Sequence, residues 1–375
     1  MLLIDRYIVG RFLLNFAILF LLLFVFAVSI DLILNLDRFV ERARAGSGDA
    51  GLLSVGVEFV RLVFNFEAPR LFQFYAYLHG LVAVGAMGFT LADMHRHKEL
   101  VAVLASGVSM YRVAVPFLAA VLGFSFLQLF NQEVILPRIA PLLLRTHGHI
   151  GLEGVRGFNV PLTVDGNGNV LQSPSFDPQT ETLLKPTMLK RDEHGRTTQR
   201  ITADSARWDA VSKQGWRLDN GRVISLPSTD LAAPPSLVLA QPIELFATDL
   251  TPEALTIRRH GQYGTMLSLS QIAAMLEAPG GVDANALVRY RAGRFATVLL
   301  NLLVMLITLP FFLLREPANL MVQSVWCAAT TVPAMLGALV GMAVELPGIA
   351  PTLGAFLPVI ILLPISLARV TYIKT

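Results

Sequence analysis

Six long runs of apolar residues, none containing Asp, Glu, Lys or Arg, constrain this chain more than any other feature of its sequence. A helix needs about 20 apolar residues to cross the ~30 Å hydrocarbon core of a bilayer. Buried helices of a soluble protein are the alternative, but six such runs exceed a plausible soluble core, and only 15% of the residues are charged. The sequence therefore predicts an integral membrane protein with six transmembrane helices. The runs are Leu13–Ile30, Leu71–Ala92, Val113–Phe130, Phe295–Leu314, Leu320–Val344 and Pro351–Ala368.

The first run is expected to be a retained membrane anchor. It is longer than the apolar part of a cleavable signal peptide, and no cleavage pattern of small residues follows it at Asn35–Arg44.

Cys327 is the only cysteine, so an intrachain disulfide is excluded. The net charge of +3 is too small to indicate nucleic acid as a partner.

The segment between the third and fourth runs has a different pattern, in which short stretches of alternating residues are separated by turn residues. Phe158–Val164 precedes the turn Asp165–Gly168, and Leu183–Lys190 and Thr197–Ala203 flank a predicted hairpin turn at Asp192–Gly195. Short strands that recur about every 8–12 residues indicate a sandwich or jelly roll. We expect residues 1–136 to form helices one to three, 137–280 an inserted all-β, jellyroll-like domain, and 281–375 helices four to six. Further strands are predicted at Ala206–Asp209, Trp216–Leu218, Arg222–Leu226 and Ile243–Ala247.

The distribution of Lys and Arg in the short loops predicts the orientation. With the N-terminus inside, eight basic residues lie on the inner side and five on the outer side, which favours cytoplasmic termini and an external β domain. The inner residues are Arg6, Arg11, Arg96, Lys98, Arg112, Arg315, Arg369 and Lys374, and the outer ones are Arg38, Arg42, Arg44, Arg61 and Arg70.

Several kinds of chemistry have no motif in this sequence. None of its five lysines lies in a phosphate-binding loop, and it contains neither a Gly-x-Ser-x-Gly nor a His-Glu-x-x-His motif. The histidine pairs at 95 and 97 and at 147 and 149 are better explained as solvated loop residues than as metal ligands. Asp31 and His79 are the only ionisable residues expected in the spans, so an ion-coupled pump is disfavoured.

The segment 94–107, between the second and third runs, is predicted to form a short amphipathic helix that ends at Gly107. Leu100, Val103 and Leu104 share one apolar stripe, and Glu99 lies on another face. Such a helix could dock into a groove of another protein, or it could simply lie at the membrane surface.

The sequence from Lys98 to Gly107 resembles the Glu-Leu-x-x-x-x-Ala-Ser-Gly signature of the LptF/LptG (YjgP/YjgQ) lipopolysaccharide-export permeases. The opening Ile4–Ile8 looks like the start of this family, closer to LptG. Ile201–Gly221 and Met266–Ile272 are similar to its periplasmic-domain pattern and to the return to the membrane. The resemblance covers the whole chain.

The resemblance implies a permease subunit of an ATP-binding-cassette exporter in the cell inner membrane. Its partners would be a second LptF/LptG-type permease, a dimer of an LptB-like cytoplasmic ATPase, and an LptC- or LptA-like periplasmic jellyroll bridge that receives lipopolysaccharide. The chain itself would bind no cofactor, since ATP and Mg²⁺ would be used by the ATPase. The coupling helix that enters the ATPase would be the segment 94–107. Its coupling residues would be His97, Lys98, Glu99, Leu100, Leu104, Ser106 and Gly107.

Two further groups of residues are candidates for contact with lipid. One group would line an apolar interior of the β domain, or else fill a closed core: Phe158, Val160, Leu162, Leu189 and Ile201. The other would contact headgroups: Arg38, Arg42 and Arg44. The chain departs from the family before the fourth span, where Ala286 and Leu287 stand in the neighbourhood of an expected acid. A permease for another amphipathic lipid and a non-transporting membrane-anchored scaffold are the alternative functions.

Overall fold

The computed structural model describes eleven segments of the chain. Its helices and strands are numbered below in chain order. The described residues are 3–47, 51–143, 157–178, 180–192, 196–209, 215–225, 240–259, 263–277, 284–313, 319–344 and 347–371.

Six helical segments are long and apolar enough to cross a membrane, which confirms the six predicted spans. They lie within residues 3–47, 52–96, 110–140, 284–312, 321–341 and 351–369. The helices are α1 Leu3–Ser47, α2 Leu52–Arg96, α3 Glu99–Ala105, α4 Met110–Phe130, a π-helical turn Asn131–Ile135, α5 Leu136–Leu143, α6 Pro252–Arg259, α7 Tyr263–Met266, α8 Leu269–Glu277, α9 Ala284–Phe312, α10 Leu320–Ala343 and α11 Pro351–Val370.

The first two helices extend well beyond their apolar runs, since each has 45 residues. At 1.5 Å per residue such a helix is about 67 Å long, roughly twice the hydrocarbon thickness. Asn35 interrupts α1 with non-helical dihedral angles, φ −122° and ψ 16°. Its side-chain amide donates to the backbone oxygen of Asp31 at 3.0 Å, so a side-chain hydrogen bond supports the chain at this kink.

The chain divides into two compact units. One comprises residues 1–37, 63–137 and 285–375, and the other comprises 38–62 and 138–284. Residues 38–62, which the sequence analysis assigned to the membrane part, therefore group with the unit that carries the strands. The first unit has one apolar core, to which all six spans contribute, with Phe12, Leu91, Phe117 and Met305 among its buried side chains.

The second unit contains one antiparallel sheet of ten strands. The strands are β1 Phe158–Val164, β2 Val170–Asp177, β3 Thr182–Leu184, β4 Thr187–Arg191, β5 Thr197–Thr202, β6 Ser205–Trp208, β7 Gly215–Asp219, β8 Arg222–Ser225, β9 Gln241–Pro242 and β10 Leu245–Ala247. The strands of the predicted hairpin, β4 and β5, do pair, and the predicted strands β6 and β7 pair as well. The turn residues 193–195 and 210–214 lie outside the described residues.

The stretch Leu183–Lys190, predicted as one strand, forms two. Lys185 has a φ of +46°, and Pro186 has no backbone N–H to donate to a ladder, so the strand breaks there. Both halves pair with β2 but at different positions: β3 lies opposite Ser175–Asp177, and β4 lies opposite Val170–Gln172. The sheet therefore separates at β2 into the arms β3-β6-β7-β10 and β4-β5-β8-β9.

Side chains from both arms share one apolar core. Trp216 of β7 is fully buried, and its indole N–H donates to the backbone oxygen of Leu250 at 2.9 Å. Met188 and Ile201 of the other arm belong to the same cluster. The β domain therefore has its own hydrophobic core, as an inserted domain requires.

Gly80 is a point of close approach among α2, α9 and α10. A Cβ atom there would lie 2.7 Å from Met335 Cε and would overlap Asn301 Oδ1. His79 Nδ1 donates to the backbone oxygen of Tyr75 at 3.0 Å, so its Nε2 accepts from the Asn301 amide at 2.9 Å.

We expect Gly80→Ala to break the bond between Asn301 and His79, because the added methyl group occupies the position of the Asn301 amide oxygen. The loss of one buried hydrogen bond should lower the free energy of unfolding by about 1–3 kcal/mol. Gly123→Ala in α4 is the matched control, since no atom lies within 4 Å of a Cβ at that position. Unfolding midpoints of the purified variants in detergent measure the difference. Equal midpoints for the two variants would contradict the packing described here.

Candidate functional site

The segment 94–107 is not the single helix predicted from the sequence. α2 ends at Arg96, and α3 comprises only Glu99–Ala105. Lys98 between them has a φ of +57°, a left-handed conformation that interrupts a helix. At the other end Gly107 has a φ of +80°, and its N–H donates to the Leu104 oxygen at 3.0 Å, as in glycine-terminated helices. Ser106 is the last residue before this glycine, and its hydroxyl donates to the Val103 oxygen at 2.7 Å.

The apolar stripe of α3 faces the core of its own chain. Leu100 is 1% exposed, and Val103 and Leu104 are partly buried against the core of the spans. The opposite face is exposed, with Val101 at 60% and with Ala102 and Ala105 also exposed. A protein that docks on α3 would therefore contact this second face.

Glu99, the first residue of α3, is bound to the first helix. Both of its carboxylate oxygens accept from the Tyr7 hydroxyl at 3.0 Å and from Arg11 Nη1 at 3.0–3.1 Å. Arg11 Nη2 contacts Asp93 Oδ2 at 3.1 Å, so its guanidinium bridges two carboxylates. The sequence analysis missed these contacts, because they join positions 88 and 92 residues apart.

The two histidines near α3 make local contacts. His95 Nε2 donates to the backbone oxygen of Phe312 at 2.6 Å, which ties the end of α2 to the end of α9. His97 Nδ1 lies 3.0 Å from the Asp93 backbone oxygen and 3.2 Å from Asp93 Oδ1. Among the described residues, no three His, Cys, Asp or Glu are grouped so as to hold a metal ion. His147 and His149 lie outside the described residues.

The five proposed lipid-lining residues of the β domain do not share one face. Val160 and Ile201 are 2% exposed in the core, and Phe158 packs against it. Leu162 is 65% exposed, because a bulge in β1 places Pro161 and Leu162 opposite the single residue Gln172 of β2. Leu189 pairs with Val170 and Arg200, whereas Ile201 pairs with Met188, so Leu189 faces the other side of the sheet.

The three candidate headgroup arginines all lie on α1 after its kink and are exposed. Arg38 and Arg42 are four residues apart and share one face. Arg44 is about 200° further around the helix than Arg42, so it points to another side. Phe39 and Ala43 are fully buried between them.

Ionisable side chains are more numerous on the spanning helices than the sequence analysis expected. Arg70 Nη1 lies 3.2 Å from Asp31 Oδ2 and 3.0 Å from Glu67 Oε1, and Glu67 is buried. The second apolar run begins only after Arg70, but α2 also includes both residues. The i, i+3 spacing of Glu67 and Arg70, which is typical of ion pairs on a helix, was the sequence signal that could have indicated this ion pair.

A second ion pair joins the π-helical turn to α9. Glu133 accepts a hydrogen bond from Arg294 Nη1, and the Arg294 side chain is 2% exposed. π-Helical turns often accompany functional sites, and Asn131 of this turn donates to the Phe72 backbone oxygen at 2.9 Å.

Six long apolar helices with a shared core, joined to a separate antiparallel sheet of ten strands, define a multi-pass membrane protein with an inserted β domain. The family model of the lipopolysaccharide export system permeases LptF/LptG matches residues 57–372, which is most of the chain. The chain therefore belongs to the LptF/LptG family of lipopolysaccharide export permeases, as its motifs predicted. A comparison with curated proteins finds no match.

Proposed function

We propose that this chain is a transmembrane subunit of an ATP-driven exporter that extracts lipopolysaccharide from the inner membrane and passes it to a periplasmic bridge. The match to the permease family over residues 57–372 is the observation that carries this proposal. A second permease of the same family would complete the membrane part, and a cytoplasmic ATPase dimer would use ATP and Mg²⁺.

The ATPase is proposed to dock on the exposed face of α3. Val101, Ala102 and Ala105 offer it a small apolar surface, and the Glu99 side chain beside them is 30% exposed. A carboxylate has about four acceptor sites, and Tyr7 and Arg11 supply one donor each. Glu99 can therefore accept further hydrogen bonds from a partner while it stays bound to α1.

The β domain is proposed to hand the acyl chains to a jellyroll bridge on the periplasmic side. Of the five candidate lining residues, Phe158, Val160 and Ile201 lie at or in the domain core. Those three are the positions at which an interior lipid path would be sought, with a permanently closed core as the alternative.

The proposed orientation predicts the labelling of two single-cysteine variants in a Cys327→Ser background. Arg222→Cys in the β domain should react with an impermeant thiol reagent when the outer membrane is permeabilised, because that domain is expected in the periplasm. Lys98→Cys should react only after the inner membrane is also opened. Both positions are exposed, so accessibility within the protein is matched. The reverse labelling pattern would contradict the orientation and the docking of an ATPase on α3.

Purification from a membrane extract tests the proposal against its alternatives. The chain should bring down a second permease and an ATPase in fixed proportions, and mass spectrometry of the bound lipid should identify lipopolysaccharide. A preparation without an ATPase would favour the membrane-anchored scaffold. Another amphipathic lipid in place of lipopolysaccharide would favour a related permease.

A further inference from the structure

Four side chains from the start of α1, the end of α2 and the start of α3 form a cluster that we call the clamp: Tyr7, Arg11, Asp93 and Glu99. Tyr7 and Arg11 are four residues apart and therefore lie on one face of α1. Arg11 divides its guanidinium between Asp93 and Glu99, and its Cζ lies 5.1 Å from the centre of the Tyr7 ring. The Tyr7 hydroxyl completes the set by donating to Glu99 at 3.0 Å.

The exposure of the clamp argues against a purely stabilising role. The side chains of Arg11 and Glu99 are each 30% exposed, and that of Asp93 is 41% exposed. Ion pairs in contact with water contribute only about 0–1 kcal/mol each. Two donors directed at the same carboxylate, one from each side chain, nevertheless restrict where it points.

Because the chain breaks before α3, the direction of α3 depends on contacts such as those of the clamp. The left-handed Lys98 separates α3 from α2, so no continuous helix holds α3 in a fixed direction. Leu100 is buried in the core of the spans and attaches one face of α3 to it. The clamp adds a second attachment at the first residue of α3, and this attachment leads to α1.

The part of α1 before its kink is one continuous helix that begins at the clamp. Between Leu3 and Ser47 only Asn35 departs from helical geometry. None of the residues 17–34 is buried within the chain, whereas α9 has 16 buried residues. This middle part of α1, in which Leu19, Phe20 and Leu23 are only partly buried against the core, can therefore shift at a lower cost in packing than α9.

We propose that Tyr7 and Arg11 are positioning residues for the Glu99 carboxylate, and that they transmit displacement of α3 to the first span. This inference rests on the proposed function, in which an ATPase moves α3. It gives the motif Ile4–Ile8 a physical role through Tyr7, and it makes α1 the span that responds to the ATPase.

A double-substitution cycle tests whether Tyr7 acts through Glu99. The complete complex, with its partner permease and ATPase, is reconstituted in vesicles that contain lipopolysaccharide, and lipid released per ATP hydrolysed is measured. Tyr7→Phe should lower this ratio by roughly tenfold at unchanged subunit stoichiometry, which is the fold-change for losing one hydrogen bond to a charged group. Tyr7→Phe should have a smaller effect in the Glu99→Gln background than in the wild type, because the glutamine oxygen still accepts from the Tyr7 hydroxyl but without the charge that strengthens the bond.

Conservative and control variants separate positioning from general damage. Arg11→Met should lower the ratio at least as far as Tyr7→Phe, and Arg11→Lys should restore part of it by keeping the charge. Tyr111→Phe and Arg6→Met, both exposed positions outside the clamp, should match the wild type.

Three outcomes would overturn the inference. A wild-type ratio in Tyr7→Phe would do so, as would effects of Tyr7→Phe and Glu99→Gln that multiply in the double variant. Loss of subunits from the Tyr7→Phe complex would assign the clamp a structural role instead. A wild-type complex that released no lipid would contradict the proposed function itself. The three outcomes above contradict only the inference, because in each of them the wild-type complex still releases lipid.

Discussion

Replacement of Glu99 by alanine is expected to abolish lipid export while the spans still insert and the ten-stranded sheet still folds. The substitution removes the acceptor of Tyr7 and Arg11, and in the proposed complex it also removes the hydrogen bonds to the ATPase. Charge-assisted hydrogen bonds contribute about 1.5–3 kcal/mol each, so the loss of one or two lowers a coupled rate by roughly 10- to 10⁴-fold.

Purified complexes of the wild type and Glu99→Ala provide the comparison. Subunit stoichiometry, ATP turnover and lipid release are measured on the same preparations, and weakened assembly or hydrolysis without release is the expected defect. Glu244→Ala is the control, because it removes an exposed carboxylate from the β domain. If Glu99 only balanced the cations beside it, all three values would be normal, and the coupling role would be wrong.

Removal of Glu133 should be the most destabilising single substitution proposed here. Its carboxylate neutralises Arg294, whose side chain is 2% exposed among the spans. Removing one partner of a buried ion pair costs up to about 3–5 kcal/mol, and Glu133→Ala takes the carboxylate away from the buried Arg294 guanidinium. Glu133→Ala should therefore lower the unfolding midpoint in detergent more than Gly80→Ala does.

The second half of this test replaces both partners. Glu133→Leu with Arg294→Met removes the two charges together and should recover most of the lost stability, since apolar residues of similar volume can replace a buried pair. Arg291→Met, at an exposed position of the same helix, should change the midpoint little. A Glu133→Ala protein as stable as the wild type would show that the ion pair does not hold α4 and α9 together.

The sequence predicted those parts of the fold that depend on local composition. The six spans follow from uncharged apolar runs, and β1 was predicted with its observed limits because its residues alternate and a turn follows. The split at Lys185 and Pro186 was missed, although a proline within a predicted strand was a visible warning. The exposure of Leu162 depends on a bulge, which is a property of the pairing with β2 and not of β1 alone.

The site was less predictable because its contacts join distant segments. The motif around Glu99 indicated a functional carboxylate, but nothing in it indicates that Tyr7 and Arg11 bind this carboxylate. The partnership of Glu133 with Arg294 spans 161 residues and is likewise invisible to a local pattern. Apolar runs also end at charged residues, so the method that located the spans excluded Glu67 and Arg70 from them.

Release of lipopolysaccharide from vesicles that hold the complete complex tests the central claim most directly. The chain, its partner permease and the ATPase are reconstituted with lipopolysaccharide, and transfer to an added soluble jellyroll bridge is followed with ATP or with a non-hydrolysable analogue. We expect transfer that requires ATP hydrolysis and that is lost in the Glu99→Ala complex. Transfer at the same rate with the analogue, or none from an assembled wild-type complex that hydrolyses ATP, would contradict it.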